Sequence, residues 1–97
     1  MLAQFRTYQI SLQLYRQCKQ AKLPASLRDQ MIRASSSICL NLAEGSAKPT
    51  AKDRRKYYFI ALGSLREVQA LIEMEQLEQT RPLADQLGAH LFRLCQT

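Results

Sequence analysis

The sequence predicts an all-α protein, an antiparallel up-down-up-down four-helix bundle. Apolar residues recur at every third or fourth position in four segments, no segment alternates as a strand does, and only short breaks separate the segments. Of the 97 residues, 46% are hydrophobic and only three are glycine and three proline, which is typical of a folded helical chain. This length predicts a single domain over residues 1–97.

The first two predicted helices are joined by a very short break. Helix 1 is predicted over about residues 5–22, with a stripe formed by Phe5, Tyr8, Leu12, Tyr15 and Cys18. Leu23-Pro24 ends it, because the residue before a proline avoids the helical region and proline suits the first turn of a new helix. Helix 2 then runs over about residues 24–44 and stops at Gly45.

The second half of the chain carries two further predicted helices, over about residues 51–78 and 82–96. Thr50 and Asp53 resemble a capping box with Asp in place of Glu at the start of helix 3. Gly63 lies inside that helix, where a glycine costs on the order of 1 kcal/mol. We therefore expect another helix to pack closely against it.

Helix 2 carries a narrow polar stripe at about 100° per residue, formed by Gln30, Arg33, Ser37, Asn41 and Glu44. Apolar residues occupy more than one other face, so neighbours from this chain or another should enclose the helix. A turn centred near residue 48 places Ser64 level with Arg33. It places Glu67 level with Gln30, and we predict that Glu67 pairs with Arg33, Gln30 or both in a partly buried polar network that includes Ser64. An ordinary surface ion pair is the alternative.

No arrangement of residues indicates catalysis. The single histidine, His90, lacks partners at the spacing of a metal site or a catalytic triad, and the run Ser35–Ser37 has no base nearby in sequence. There is no glycine-rich phosphate loop. We therefore expect a protein that is not an enzyme and that holds no metal and no cofactor.

The cysteines and the hydropathy pattern indicate the compartment. Cys18, Cys39 and Cys95 are an odd number, lie far apart and have apolar neighbours, which predicts free buried thiols in a reducing cytoplasm. No apolar run approaches 18 residues, and the first ten residues do not resemble a secretory signal. The expected location is cytoplasmic, with no membrane partner.

The one candidate functional feature is a cluster of cations at the start of helix 3. Cations there lie at the positive end of the helix dipole, where each costs a few tenths to about 1 kcal/mol before screening. The same position suits a phosphate, because free backbone N–H groups and cations both point at it. The bundle topology brings Arg6 and Arg93 to this end. We call the full set the basic rim, which comprises Arg6, Lys48, Lys52, Arg54, Arg55, Lys56 and Arg93.

Several roles are open for the basic rim in a chain of net charge +6. The first is binding of RNA or DNA, mainly through phosphate, with weak sequence specificity and strong salt dependence. The second is a structural or adaptor role in which the rim meets an acidic protein and no nucleic acid is bound. A solvated helix start without a ligand is the third.

Two segments carry a family resemblance: residues 33–45, RASSSICLNLAEG, and residues 63–67, GSLRE. They resemble the two signature segments of the bacterial four helix bundle protein family, also called the 23S rRNA intervening-sequence protein family. Gln30 and Leu23-Pro24 fit as well, and the resemblance covers nearly the whole chain. It implies a four-helix bundle that assembles into a ring-shaped homopentamer, and it offers no catalytic residue.

The resemblance extends to the accessory variability determinants of diversity-generating retroelements. Those proteins form similar basic pentamers, bind nucleic acid and partner a reverse transcriptase. The resemblance therefore implies a non-enzymatic accessory protein with three expected partners, namely further copies of itself, RNA or DNA, and a reverse transcriptase.

Overall fold

The computed structural model describes residues 5–97, so residues 1–4 of the predicted domain lie outside the described residues. It contains α1 (Arg6–Gln20), α2 (Ala25–Ser46), α3 (Ala51–Glu75) and α4 (Arg81–Gln96). The described part of the chain contains no strand. The predicted all-α fold with four helices is confirmed.

The helices form a bundle around one core. α2 packs against α1 and α3, and α4 packs against α3 and α1. The bundle measures 40 × 21 × 20 Å. Every helix contributes fully buried apolar side chains, among them Ile10, Leu14, Met31, Ile38, Leu42, Leu65, Ile72, Leu87 and Leu91. Burying each of these side chains contributes about 1.5–3 kcal/mol, so this core holds the four helices together.

The buried face of α1 differs from the predicted aromatic stripe. It consists of Thr7, Ile10, Ser11, Leu14 and Cys18, whereas Tyr8, Leu12 and Tyr15 are half-buried. The reason is close contact with α2 through small residues. Ser35 and Cys39 of α2 are buried, and the Cys39 thiol lies 3.3 Å from the Ser11 carbonyl oxygen. The bulky side chains of α1 therefore lie at the edges of this contact.

α3 ends at Glu75, three residues before the predicted end, because Gln76 adopts a left-handed conformation with φ 55°. The Leu77 N–H donates to the Ile72 carbonyl at 2.9 Å, which is the closure of a Schellman motif. Leu77 then packs on the core. No glycine marks this position in the sequence, and the apolar contact of Leu77 compensates for the strained backbone.

Gly45 does not end α2 as predicted, because the helix continues to Ser46 and no glycine has a positive φ among the described residues. Gly45 is needed at this position because a side chain would not fit there. A Cβ at Gly45 would lie 2.8 Å from Cε1 of Tyr58 and 3.0 Å from Cβ of Tyr57. The missing side chain lets the start of α3 pack directly on the last turn of α2.

Gly63 has the opposite environment. Apart from its two neighbours in sequence and the adjacent backbone of α3, no atom in the described chain lies within 4 Å of the position that its Cβ would occupy, and the residue is exposed. The expected close packing of another helix against Gly63 is therefore not formed within the described chain.

None of the helices in the described range is both long enough and apolar enough to cross a membrane.

Candidate nucleic-acid interface

The basic rim lies where four helix ends meet. The rings of Phe5, at the start of α1, and Tyr58, in α3, are 6.2 Å apart. Tyr58 also packs over Gly45, near the end of α2. At the end of α4, the Thr97 carbonyl accepts a hydrogen bond from Arg55 of α3. These contacts bring all seven cations of the rim to one end of the bundle.

Three of the rim cations are engaged within the chain. The Lys48 ammonium lies 3.7 Å from a carboxylate oxygen of Glu44 and 5.0 Å from the centre of the Tyr57 ring. Arg54 donates from Nη1 to the Lys48 carbonyl at 3.1 Å, and Arg55 donates to Thr97. All three cations are half-buried, so they hold the loop and the helix ends in place.

The other four rim cations are Arg6, Lys52, Lys56 and Arg93. They are exposed, and none of them forms a hydrogen bond or ion pair with another residue in the range 5–97. Lys52 and Lys56 lie one turn apart on the same side of α3. These four side chains are available to a ligand.

The start of α3 has the Thr50 half of the predicted capping box. The Thr50 hydroxyl accepts a hydrogen bond from the Asp53 N–H at 3.1 Å. This bond satisfies one of the four N–H groups that the first turn leaves without a helical partner. The positive end of the α3 dipole therefore lies beside Lys52.

His90 is a further residue of this region that sequence reasoning did not assign to the rim. Burial lowers its pKa, and the positive charges of Arg93 and Arg6 lower it further. The two arginines come from α4 and α1, so His90 is near enough to both rim cations for their charges to act on it. No spacing in the sequence connects Arg6 with His90.

The polar stripe of α2 forms part of the predicted network. The hydroxyl oxygens of Ser37 and Ser64 are 2.8 Å apart, and Asn41 donates from Nδ2 to the Ser37 carbonyl at 2.9 Å and to its Oγ at 3.1 Å. All three residues are half-buried. They link α2 to α3 within the segments that carry the family resemblance.

The predicted pairing of Glu67 with Arg33 or Gln30 is not formed within the chain. All three side chains are exposed, and the ion pairs among the described residues are Lys48–Glu44 and Arg81–Glu78. Ser64 lies opposite Ser37, one turn away from the predicted level of Arg33. Packing of the start of α3 over Gly45 sets this register, and the loop centre does not.

No group of three or more His, Cys, Asp or Glu residues in the described chain could hold a metal ion. The three cysteines are free and buried. Burial raises the pKa of Cys18 to about 11, so its thiol stays protonated at neutral pH.

Comparison with known proteins identifies a family. The family model described as 23S rRNA-intervening sequence protein matches residues 3–92. No significant match is found among curated proteins or among solved structures. The family match includes all of α1, α2 and α3 and most of α4. The chain therefore belongs to the 23S rRNA-intervening sequence protein family.

Proposed function

We propose that this protein is a non-enzymatic, cytoplasmic accessory protein that binds the phosphates of RNA or DNA through the basic rim, as a subunit of an oligomeric ring. The observation that carries the proposal is the convergence of Arg6, Lys52, Lys56 and Arg93 at one end of the bundle without partners in the described chain. The name of the family, which refers to 23S rRNA, agrees with a role close to nucleic acid.

The charge balance at the rim favours an anionic ligand. The acidic residues nearby are Glu44, which is engaged by Lys48, and Asp53, which lies in the first turn of α3. Lys52, in the first turn at the dipole-positive end of α3, therefore raises the free energy of the unliganded chain, and Lys56 adds its charge one turn farther on. A phosphate beside them would remove this cost and release counterions from the nucleic acid.

The outer face of α2 and α3 supports the assembly part of the proposal. Leu40 and Met74 are 68% and 65% exposed, and Ile60 is 46% exposed. On the same outer side, Arg33 and Glu67 are exposed without a partner in the described range, and Gly63 faces open space. A second copy on this face would bury the apolar side chains. It would also provide Arg33 and Glu67 with oppositely charged partners. No part of the chain within residues 5–97 fills the space beside Gly63.

The homopentamer and the up-down-up-down topology remain parts of this proposal. Contacts between consecutive helices, such as Ser37 to Ser64 and Gln69 to Asp85, support the antiparallel order. A fivefold ring would repeat the basic rim around one edge. The resemblance also adds a reverse transcriptase as protein partner, and co-purification with a reverse transcriptase encoded beside the gene tests that partnership.

Light scattering tests the assembly. We expect the wild type to have the mass of five chains, whereas Gly63→Trp should have a lower mass with unchanged helix content, because the indole occupies space that is open in the single chain. A wild type of single-chain mass at micromolar concentration would contradict the ring.

Fluorescence anisotropy with labelled RNA and DNA tests the binding. The variant K52Q/K56Q removes two exposed rim cations, and K22Q/R28Q removes two exposed cations at the opposite end as a matched control. We expect only the rim variant to lose binding at low salt. Binding that is equal in both variants would refute the rim assignment. A wild type that binds neither nucleic acid would refute the binding proposal and leave two roles for the rim, namely contact with an acidic protein or a solvated surface without a ligand.

A further inference from the structure

We infer that Phe59 and Phe92 form a platform on which unpaired bases stack, so that the basic rim takes single-stranded nucleic acid. This inference rests on the proposed function and names the ligand class more narrowly. Both phenylalanines are 55% exposed, and neither has a role in the core.

Both rings lie along the groove between α3 and α4. At the rim end, Arg55 donates to the Thr97 carbonyl across this groove, and farther along Gln69 donates to Asp85 at 3.4 Å. Phe59 lies one turn beyond Arg55 on the same side of α3. Phe92 lies two turns beyond Asp85 on the same side of α4. The two contacts therefore bracket a stretch of groove that carries both phenylalanines.

The floor of this groove is closed, which leaves the rings on the surface. Gly88, one turn before Phe92, is buried, and a Cβ there would lie 3.4 Å from Nε2 of Gln69 and 3.7 Å from Cδ2 of Leu65. α4 thus approaches α3 closely at this point. A helical side chain lies over the turn that precedes it, so Phe92 lies over the turn that contains Gly88 and the small Ala89.

The charges around the rings favour a nucleic-acid strand over a second protein surface. The charged residues within two turns of Phe59 on its side of α3 are all cations, namely Lys52, Arg55, Lys56 and Arg66. Arg93 follows Phe92 directly, and the acid on this side of α4, Asp85, lies two turns before Phe92, where it accepts a hydrogen bond from Gln69. An apolar protein partner would have to desolvate these cations without compensation.

A nucleotide matches both features of the groove. Its base offers a π-face to each ring, and its phosphate offers a negative charge to the neighbouring cations. In a duplex the bases are stacked inside and cannot reach the rings. Single-stranded RNA or DNA is therefore the ligand that uses the whole surface, with little preference for sequence.

The test compares binding of single-stranded and duplex 12-mers to four proteins by anisotropy. The variant F59L/F92L keeps apolar side chains but removes the aromatic rings. The variant F59W/F92W keeps an aromatic ring at both positions. We expect F59L/F92L to lose about tenfold in affinity for single strands and nothing for duplex, and F59W/F92W to bind single strands as the wild type does. K52Q/K56Q should lose affinity for both ligands.

The outcomes separate the platform from the rim. Wild-type affinity of F59L/F92L for single strands, together with loss of binding in K52Q/K56Q, would refute the platform and leave the rim in place. A wild type that binds no nucleic acid would refute both.

A tryptophan probe decides between a strand and a second copy in the groove. The chain contains no tryptophan, so F92W supplies a single reporter. We expect an oligonucleotide to quench its emission in a saturable manner. If the emission does not change with added oligonucleotide but shifts with protein concentration, the inference is overturned and a second copy occupies the groove.

Discussion

The hydroxyl oxygens of Ser37 and Ser64 lie 2.8 Å apart and join α2 to α3. The two residues belong to separate segments of the family resemblance, which are distant in sequence and meet in the fold. Ser37 also accepts from Asn41 through its Oγ at 3.1 Å, whereas the one side-chain hydrogen bond of Ser64 among the described residues is that with Ser37.

A double-mutant cycle tests this pair. We expect S37A and S64A each to lower the free energy of unfolding by about 0.5–1.5 kcal/mol, with the larger loss for S37A because Asn41 loses a partner as well. The coupling energy should reach about 0.5 kcal/mol or more. Urea unfolding monitored by circular dichroism measures all four proteins. Additive losses would mean that the hydroxyl contact contributes nothing to stability.

Gly45→Ala should destabilise the protein by about 1–3 kcal/mol, although alanine favours helix more than glycine. The added Cβ would lie 2.8 Å from the Tyr58 ring and 3.0 Å from Cβ of Tyr57, so the start of α3 must shift. Thermal unfolding measures the loss. Tyr58→Leu in the same background serves as the control, because it removes the ring atom that the new Cβ meets and should recover part of the stability. A Gly45→Ala protein as stable as the wild type would contradict the proposed cause of the register.

The thiols should be protected in the native protein. Burial raises the pKa of Cys18 to about 11 and raises the pKa of Cys39 and Cys95 as well. Since the thiolate is the reactive form, we expect slow reaction with an aromatic disulfide reagent at pH 8 and rapid reaction of three thiols in urea. Rapid reaction of Cys18 before unfolding would show that the contact between α1 and α2 opens readily.

His90 should make stability depend on pH. Burial and the charges of Arg93 and Arg6 lower its pKa below the unfolded value of about 6.5. Between these two values the unfolded chain binds more protons, so stability rises with pH in that interval. His90 thus contributes fully above about pH 6.5, and its contribution falls as the pH drops through the interval. Urea unfolding at pH 7.5 and 5.5 should show a smaller loss for H90Q than for the wild type. Equal losses would contradict the assignment.

Local signals in the sequence predicted the helices well. These signals are Pro24, the cap at Thr50 and the apolar periodicity, which all depend on residues close in sequence. The helices of the structure begin and recur where these signals predict. The sequence did not predict the end of α3 at Gln76. The packing of Leu77 on the core stabilises this helix end, and no local sequence pattern encodes that contact.

The interior of the polar network was predicted better than its outer part. Ser37 and Asn41 lie on the side of α2 that helix periodicity predicts, and Ser64 faces this side from α3, although it lies opposite Ser37 and not at its predicted level beside Arg33. Arg33 and Glu67 do not meet, because the register follows from the contact of Tyr58 with Gly45, and that contact joins residues of two different helices. The exposed rings of Phe59 and Phe92 were missed for a related reason: two helices had to be docked before both could be placed on one groove.

The most direct test of the account is the salt dependence of binding to a labelled single strand. Each phosphate contact contributes about −0.7 to the slope of log affinity against log salt concentration. We predict that K52Q/K56Q flattens this slope by at least about 1.4, whereas the control K22Q/R28Q leaves it unchanged. Equal slopes in the wild type and both variants would show that the basic rim does not contact phosphate.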